Sequence, residues 1–159
     1  MLSMRLFGVG SLLSLLSTPY WRLKVDMVVL LLRSSLESYK PFEPEREYSP
    51  KEMEYYDSLS FRFEKAVELF LSFFKTLEIY LFGEQSDTLR NRLLRLQKAG
   101  YLDSVDFWMS ARILRNKIAH AYLPEELREI YQDIVRFGQE IVNSTEKLKE
   151  KLKEENIIT

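Results

Sequence analysis

The sequence predicts an all-α protein, an up-down antiparallel helical bundle. Three observations carry that reading. Apolar residues recur every three or four positions over long stretches, and nowhere do they alternate as in a half-buried strand. Gly and Pro number only five each in 159 residues, too little material for a sheet built on tight turns. Helix start and stop signals fall at the ends of the periodic stretches. Residues 27–40 read as a short helix rich in Leu and Val, and Pro41, Pro44 and the charged run Glu43 to Glu47 as a polar connection. Ser49-Pro50-Lys51-Glu52 combines a capping Ser, Pro at the first helical position and Glu at the third. The helix that it opens extends to about Phe82 on the stripe Leu59, Phe63, Val67, Phe70, Phe74, Leu77 and Leu81, with Gly83 to end it.

A shorter helix from about Asp87 to Ala99 turns Leu89, Leu93, Leu94 and Leu96 inward, and Gly100 stops it. Its Arg90, Arg92, Arg95 and Lys98 read as a solvated face. Asp103 or Ser104 caps the next helix, which passes Trp108 and reaches about Tyr122. Pro124, Glu125 and Glu126 open the last long helix, whose apolar stripe includes Leu127, Ile130, Ile134, Ile141, Leu148 and Leu152 and whose end is the solvated run Glu146 to Glu155. Residues 49–159 are therefore expected to form a four-helix core, and residues 1–48 an N-terminal helical extension.

Composition narrows the chemistry. The 46% hydrophobic content is enough for one core, and with no Cys the chain has no disulfide, thiolate ligand or thiol nucleophile. A single His rules out a multi-histidine metal site within one subunit, so neither metal nor cofactor is expected. Net charge is −1, so any contact with nucleic acid has to come from a local cluster. Residues 1–26 allow three readings: a weak secretory signal built on Leu6 to Leu16, upstream sequence ahead of a start at Met27, or a real extra helix. The apolar run is too short to span a bilayer, the cleavage region lacks a small-x-small pattern, and nothing downstream looks secreted. The expected location is cytoplasmic, away from the membrane.

The segment Arg115-Asn116-Lys117-Ile118-Ala119-His120-Ala121-Tyr122 carries the most chemistry. On an ideal helix, with Arg115 at zero, Tyr122 falls at about −20°, Arg112 at about 60°, Asn116 at about 100° and His120 at about 140°. Ala111, Leu114, Ile118 and Ala121 gather on the opposite arc. A polar face with two Arg, an Asn, the only His and a Tyr suits cleavage of RNA by its own 2′-hydroxyl. Neutral imidazole takes the proton, guanidinium stabilises charge on the phosphate oxygens, and Asn116 hydrogen-bonds phosphate, ribose or imidazole. Arg115 and His120 are splayed on one copy of the helix, so a two-fold dimer with these helices apposed is expected.

These residues resemble the Arg-Asn-x-x-x-His motif of HEPN domains. The extended pattern, Arg, four residues, His, one residue, Tyr, is similar to that of HepT-type toxins paired with minimal nucleotidyltransferase antitoxins. Asp57 with Arg62-Phe63-Glu64, followed by Glu68-Leu69, resembles the start of that family's first long helix, and Leu102 to Trp108 and Leu127 to Tyr131 also fit. The likeness covers roughly residues 50–140; residues 1–48 match nothing in it. It implies a type VII-like toxin–antitoxin module, with a dimeric, metal-independent endoribonuclease using Arg115 and His120 and supported by Asn116 and Arg112. It further implies that Tyr122 is adenylylated by a cognate nucleotidyltransferase. Pro124, two residues after Tyr122, departs from the family pattern. The alternative is a non-catalytic subunit of a minimal nucleotidyltransferase that binds a nucleotide or partner in the same groove. Arg62 and Glu68 read as surface ion-pairing residues, and the Phe-rich long helix as core or dimer interface.

Overall fold

In a computed structural model, which describes residues 19–157, five helices form an all-helical bundle with no strand among the described residues. They are α1 (Pro19–Glu37), α2 (Pro50–Phe82), α3 (Leu89–Lys98), α4 (Val105–Ile118) and α5 (Pro124–Glu154). Each packs against the next in the chain, and α5 also returns to α1 and α2. No helix among the described residues is long and apolar enough to cross a membrane. The apolar run Leu6 to Leu16 lies outside the described residues.

Helix α2 is bounded by its local chemistry. The Ser49 hydroxyl accepts the Glu52 N–H at 3.2 Å, and the Glu52 carboxylate accepts the Ser49 N–H at 2.8 Å. At the other end Gly83 takes φ 72°, a left-handed conformation open to a residue without Cβ, and donates to the Ile79 carbonyl. Between these caps Leu59, Phe63, Phe70, Phe74 and Leu77 are completely or almost completely buried. Trp108 of α4 packs against Phe70 and Phe74 at centroid distances of 5.3 and 5.0 Å, Leu93 and Leu96 arrive from α3, and Ile134 and Ile141 from α5.

Helix α1 starts at Pro19, eight residues before the expected start at Met27, and ends at Glu37 rather than Lys40. The early turns are held by tertiary contacts that local sequence does not announce. Trp21 meets Phe73 edge-on at 4.4 Å, and Asp26 receives the Lys149 ammonium of α5. A Cβ at Gly138 would lie 3.2 Å from Leu36, so the missing side chain lets α5 approach α1 closely. The connection to α2, expected to be merely polar, is anchored by Phe42. Its ring stacks on Tyr48 at 4.7 Å and meets Tyr56 and Tyr131 edge-on, both at 5.3 Å. Burial, reinforced by Asp57, pushes the Tyr131 phenol up to about 12.

Part of the expected solvated face of α3 is not solvated. Arg92 and Arg95 turn back to Glu78, a completely buried carboxylate on α2. Arg92 Nε donates to it at 2.8 Å, Arg95 Nη1 stands at 3.5 Å, and the Ser86 amide donates at 3.0 Å beside the Ser86 hydroxyl. Burial pushes the Glu78 carboxyl up, but hydrogen bonds from Ser86 and Arg92 outweigh it and hold the group below its ordinary value of 4.5. Arg90 remains on the surface near Asp106, and Lys98 is exposed.

Removing Glu78 strands Arg92 and the Ser86 donors, so Glu78→Ala is expected to lose about 3–5 kcal/mol of stability in urea unfolding. A loss below about 1 kcal/mol would show that the network does not hold α3. Because the folded carboxyl is held low, its contribution is fully present above about pH 4.5 and is lost as pH falls through the lowered value. The stability difference between wild type and Glu78→Ala should therefore shrink in acid.

Candidate functional site

Helix α4 begins at Ser104, whose hydroxyl accepts the Phe107 N–H at 3.1 Å. Val105, Trp108, Ala111 and Leu114 form its buried face, while Arg112, Ile113, Asn116 and Lys117 are exposed. The helix stops at Ile118, four residues short of the expected end at Tyr122. The cause is Pro124, which opens α5 at its first position and disfavours helical backbone at Leu123 (φ −78°, ψ 140°). The chain turns at Ala119 and His120, with the His120 amide closing the turn on the Lys117 carbonyl at 3.0 Å. Glu126 accepts the Leu123 N–H at 3.3 Å and completes the N-terminal end of α5.

That early stop distributes the motif over two flanks of α4. On the α5 side, Asn116 and His120 share an open groove of about 540 Å³ with Ile113 and Lys117; Glu126, Glu129 and Asp133 form its far wall. On the α2 side, half-buried Arg115 places Nη2 3.9 Å from the Glu68 carboxylate. Glu64 lies on the same flank, its carboxyl raised chiefly by burial, with the Arg115 charge opposing and Glu68 reinforcing the rise. Arg112 is exposed on α4 and lines neither wall of the groove. Tyr122 sits in the link between α4 and α5 with 81% of its surface exposed. Ile118 and Ala121, expected on the packing side, are half-buried against the core.

Asn116 and His120 are thus brought together in one chain, while Arg115 and His120 are not. The outer surface of α4 is a cationic ridge between acidic banks on α2 and α5. It offers a guanidinium fork, an ammonium, an amide and an exposed imidazole, a set that can bind an oxyanion and move a proton at an adjacent hydroxyl. Among the described residues no group of three or more Asp, Glu or His is placed to hold a metal. Arg62, expected in a surface ion pair, instead donates to the Ser35 hydroxyl at 2.6 Å and ties α1 to α2. Of the far-wall acids, the sequence marks Glu126 only as a helix-opening acid, and it assigns neither it nor Glu129 and Asp133 to the site. Their only signal is i,i+3 and i,i+4 spacing on α5, which is the ordinary pattern of a solvated helix face.

No family model matches the chain, and no curated protein or solved structure matches it.

The Arg115–Glu68 contact is long, and the Glu68 side chain is 64% exposed. Glu68→Gln is accordingly expected to change stability by no more than about 0.5 kcal/mol in thermal or urea unfolding. A loss above about 1 kcal/mol would assign Glu68 to the scaffold rather than to the surface of the site.

Proposed function

We propose that this chain is a metal-independent endoribonuclease acting as a homodimer, the toxin of a HEPN-type, type VII-like toxin–antitoxin module. The observation that carries the reading is the pairing of Asn116 with the only His in one open groove, with Arg115 beside Asn116 in the last turn of α4. His120 takes the proton of the RNA 2′-hydroxyl, and the 2′-oxygen bonds to phosphorus as the bond to the 5′-oxygen breaks. The 5′-oxygen leaves with a proton from solvent, giving a 2′,3′-cyclic phosphate and a 5′-hydroxyl. Arg115 neutralises the charge that builds on the non-bridging oxygens, and Asn116 and Arg112 hold the phosphate and ribose. The separation of Arg115 from His120 supports a site completed by a second copy.

Tyr122 is the regulatory residue of this reading. Its exposed side chain sits two residues from His120, within reach of a cognate minimal nucleotidyltransferase. The phenol oxygen loses its proton and bonds to the α-phosphorus of ATP as pyrophosphate leaves; the AMP so attached places a nucleotide and a negative charge beside the groove, and RNA is excluded by bulk and repulsion.

A second reading draws on the acidic wall formed by Glu126, Glu129 and Asp133. It makes the chain a non-catalytic subunit of a nucleotidyltransferase that only holds a nucleotide, polymer or partner in the groove, without the cationic surface that RNA turnover calls for. Turnover separates the two. AMP-free protein, verified by intact mass, is expected to cut RNA in EDTA, and His120→Ala and Arg115→Ala each to reduce the rate by about 100-fold or more. RNA left intact by the AMP-free wild type favours the binding subunit.

A further inference from the structure

The groove between α4 and α5 has two walls of opposite character. Asn116, Lys117 and His120 on the α4 side offer donors and a cation to a phosphate. Glu126, Glu129 and Asp133 on the α5 side repel one. A nucleotide in this space therefore sets its phosphate against α4 and turns its base towards α5. The volume of about 540 Å³ is that of an ordinary small-molecule site. Apolar surface is present for the base as well. Ile113, 54% exposed on α4, and Ile130 of α5 line the same groove and offer side chains on which a planar ring can pack.

The three acids are not equivalent. Glu126 accepts from the Leu123 amide, and Asp133 accepts from Arg136. Glu129 lies between them, about one turn from each, exposed and with no hydrogen bond or ion pair among the described residues. An ionised carboxylate only accepts, so a base edge that meets Glu129 has to present N–H groups. Uracil sets its one N–H between two carbonyl oxygens. Adenine and cytosine each set one amino group beside a ring nitrogen that accepts. Of the four RNA bases, guanine alone presents two adjacent donors, N1–H and the N2 amino group, spaced to reach both oxygens of one carboxylate.

We infer that the groove reads guanine, with Glu129 accepting from N1 and N2 of the base and Ile113 and Ile130 packing on its ring. This deepens the proposed function and rests on the groove's holding a nucleotide, which the ribonuclease and the binding subunit have in common. In the ribonuclease, the base belongs to the nucleotide whose 2′-hydroxyl meets His120, so the new 3′ ends are guanosine 2′,3′-cyclic phosphate. Glu129 sets specificity and touches no reacting atom.

Calorimetric titration of the AMP-free full chain with the four nucleoside 3′-monophosphates, in EDTA, tests the assignment without requiring turnover. The guanosine nucleotide is expected to bind about tenfold or more tightly than the other three. Inosine 3′-monophosphate, which keeps N1–H and lacks the N2 amino group, is expected to fall in between. Glu129→Gln is expected to remove the preference with unchanged circular dichroism. Glu125→Gln, at a residue paired with Arg128 and outside the groove, is expected to keep it. Equal affinity for the four, no binding of any, or a preference for another base overturns the assignment. So does inosine binding as tight as guanosine, or a guanine preference that survives Glu129→Gln. RNA cut to new 3′ ends with no excess of guanosine overturns the guanine contact and leaves the ribonuclease standing. Glu129-dependent guanine binding by a chain that leaves RNA intact upholds the contact and counts against the ribonuclease alone.

Discussion

Helix α2 is the element on which the other four depend: each of them packs against it, and no other helix touches all the rest. Its 33 residues make a rod about 50 Å long. Such a length needs its own register, which the Ser49–Glu52 box and the left-handed Gly83 supply at the two ends. Along it, Leu59, Phe63, Phe70, Phe74 and Leu77 present one buried row. The row receives Trp108 and thereby sets the rotation of α4 about its own axis. With Trp108, Ala111 and Leu114 inward, Arg112 and Asn116 can only face out. The orientation of the candidate site is thus a consequence of which face of α4 fits the aromatic row of α2.

Glu78 interrupts that row with a charge and turns it to use. An isolated buried carboxylate is costly, and here Arg92, Arg95 and Ser86 surround it. Hydrophobic packing of the ten-residue α3 through Leu93 and Leu96 is non-directional. The Arg–Glu–Ser cluster adds direction and fixes α3 at one place along α2. Because α3 also packs on α4, the buried charge reaches the site through two helix contacts, without belonging to it.

What the sequence made legible was local. Ser49, Pro50, Glu52 and Gly83 bound α2 by interactions within four residues, and the expected limits were met. The limits of α1 and α4 were misplaced because they are decided elsewhere. Trp21 against Phe73 and Asp26 against Lys149 support turns ahead of Met27. At α4 the local signal was in view, since Pro124 restricts Leu123, but the small residues Ala119 and Ala121 continued a helical pattern past the turn. Arg92 and Arg95 were misjudged because a lone Glu among Leu77, Ile79 and Leu81 does not reveal its partners. The motif itself was readable by residue type. Which of its members meet depended on where α4 ends.

The electrostatics of the site follow from the same geometry. Arg112, Arg115 and Lys117 are flanked by Glu64 and Glu68 on one side and by Glu126, Glu129 and Asp133 on the other. Acids outnumber fixed cations, so one chain presents no net positive field to a polyanion. Some of the acids already have local occupations: Asp133 accepts from Arg136 at 2.8 Å, and Glu126 from the Leu123 amide. Glu68 has Arg115, at a distance where the attraction is weak and easily exchanged. Exchange of Glu68 for another anion is therefore the least costly way for Arg115 to bind one, because the contact that would be given up is long and solvent-exposed.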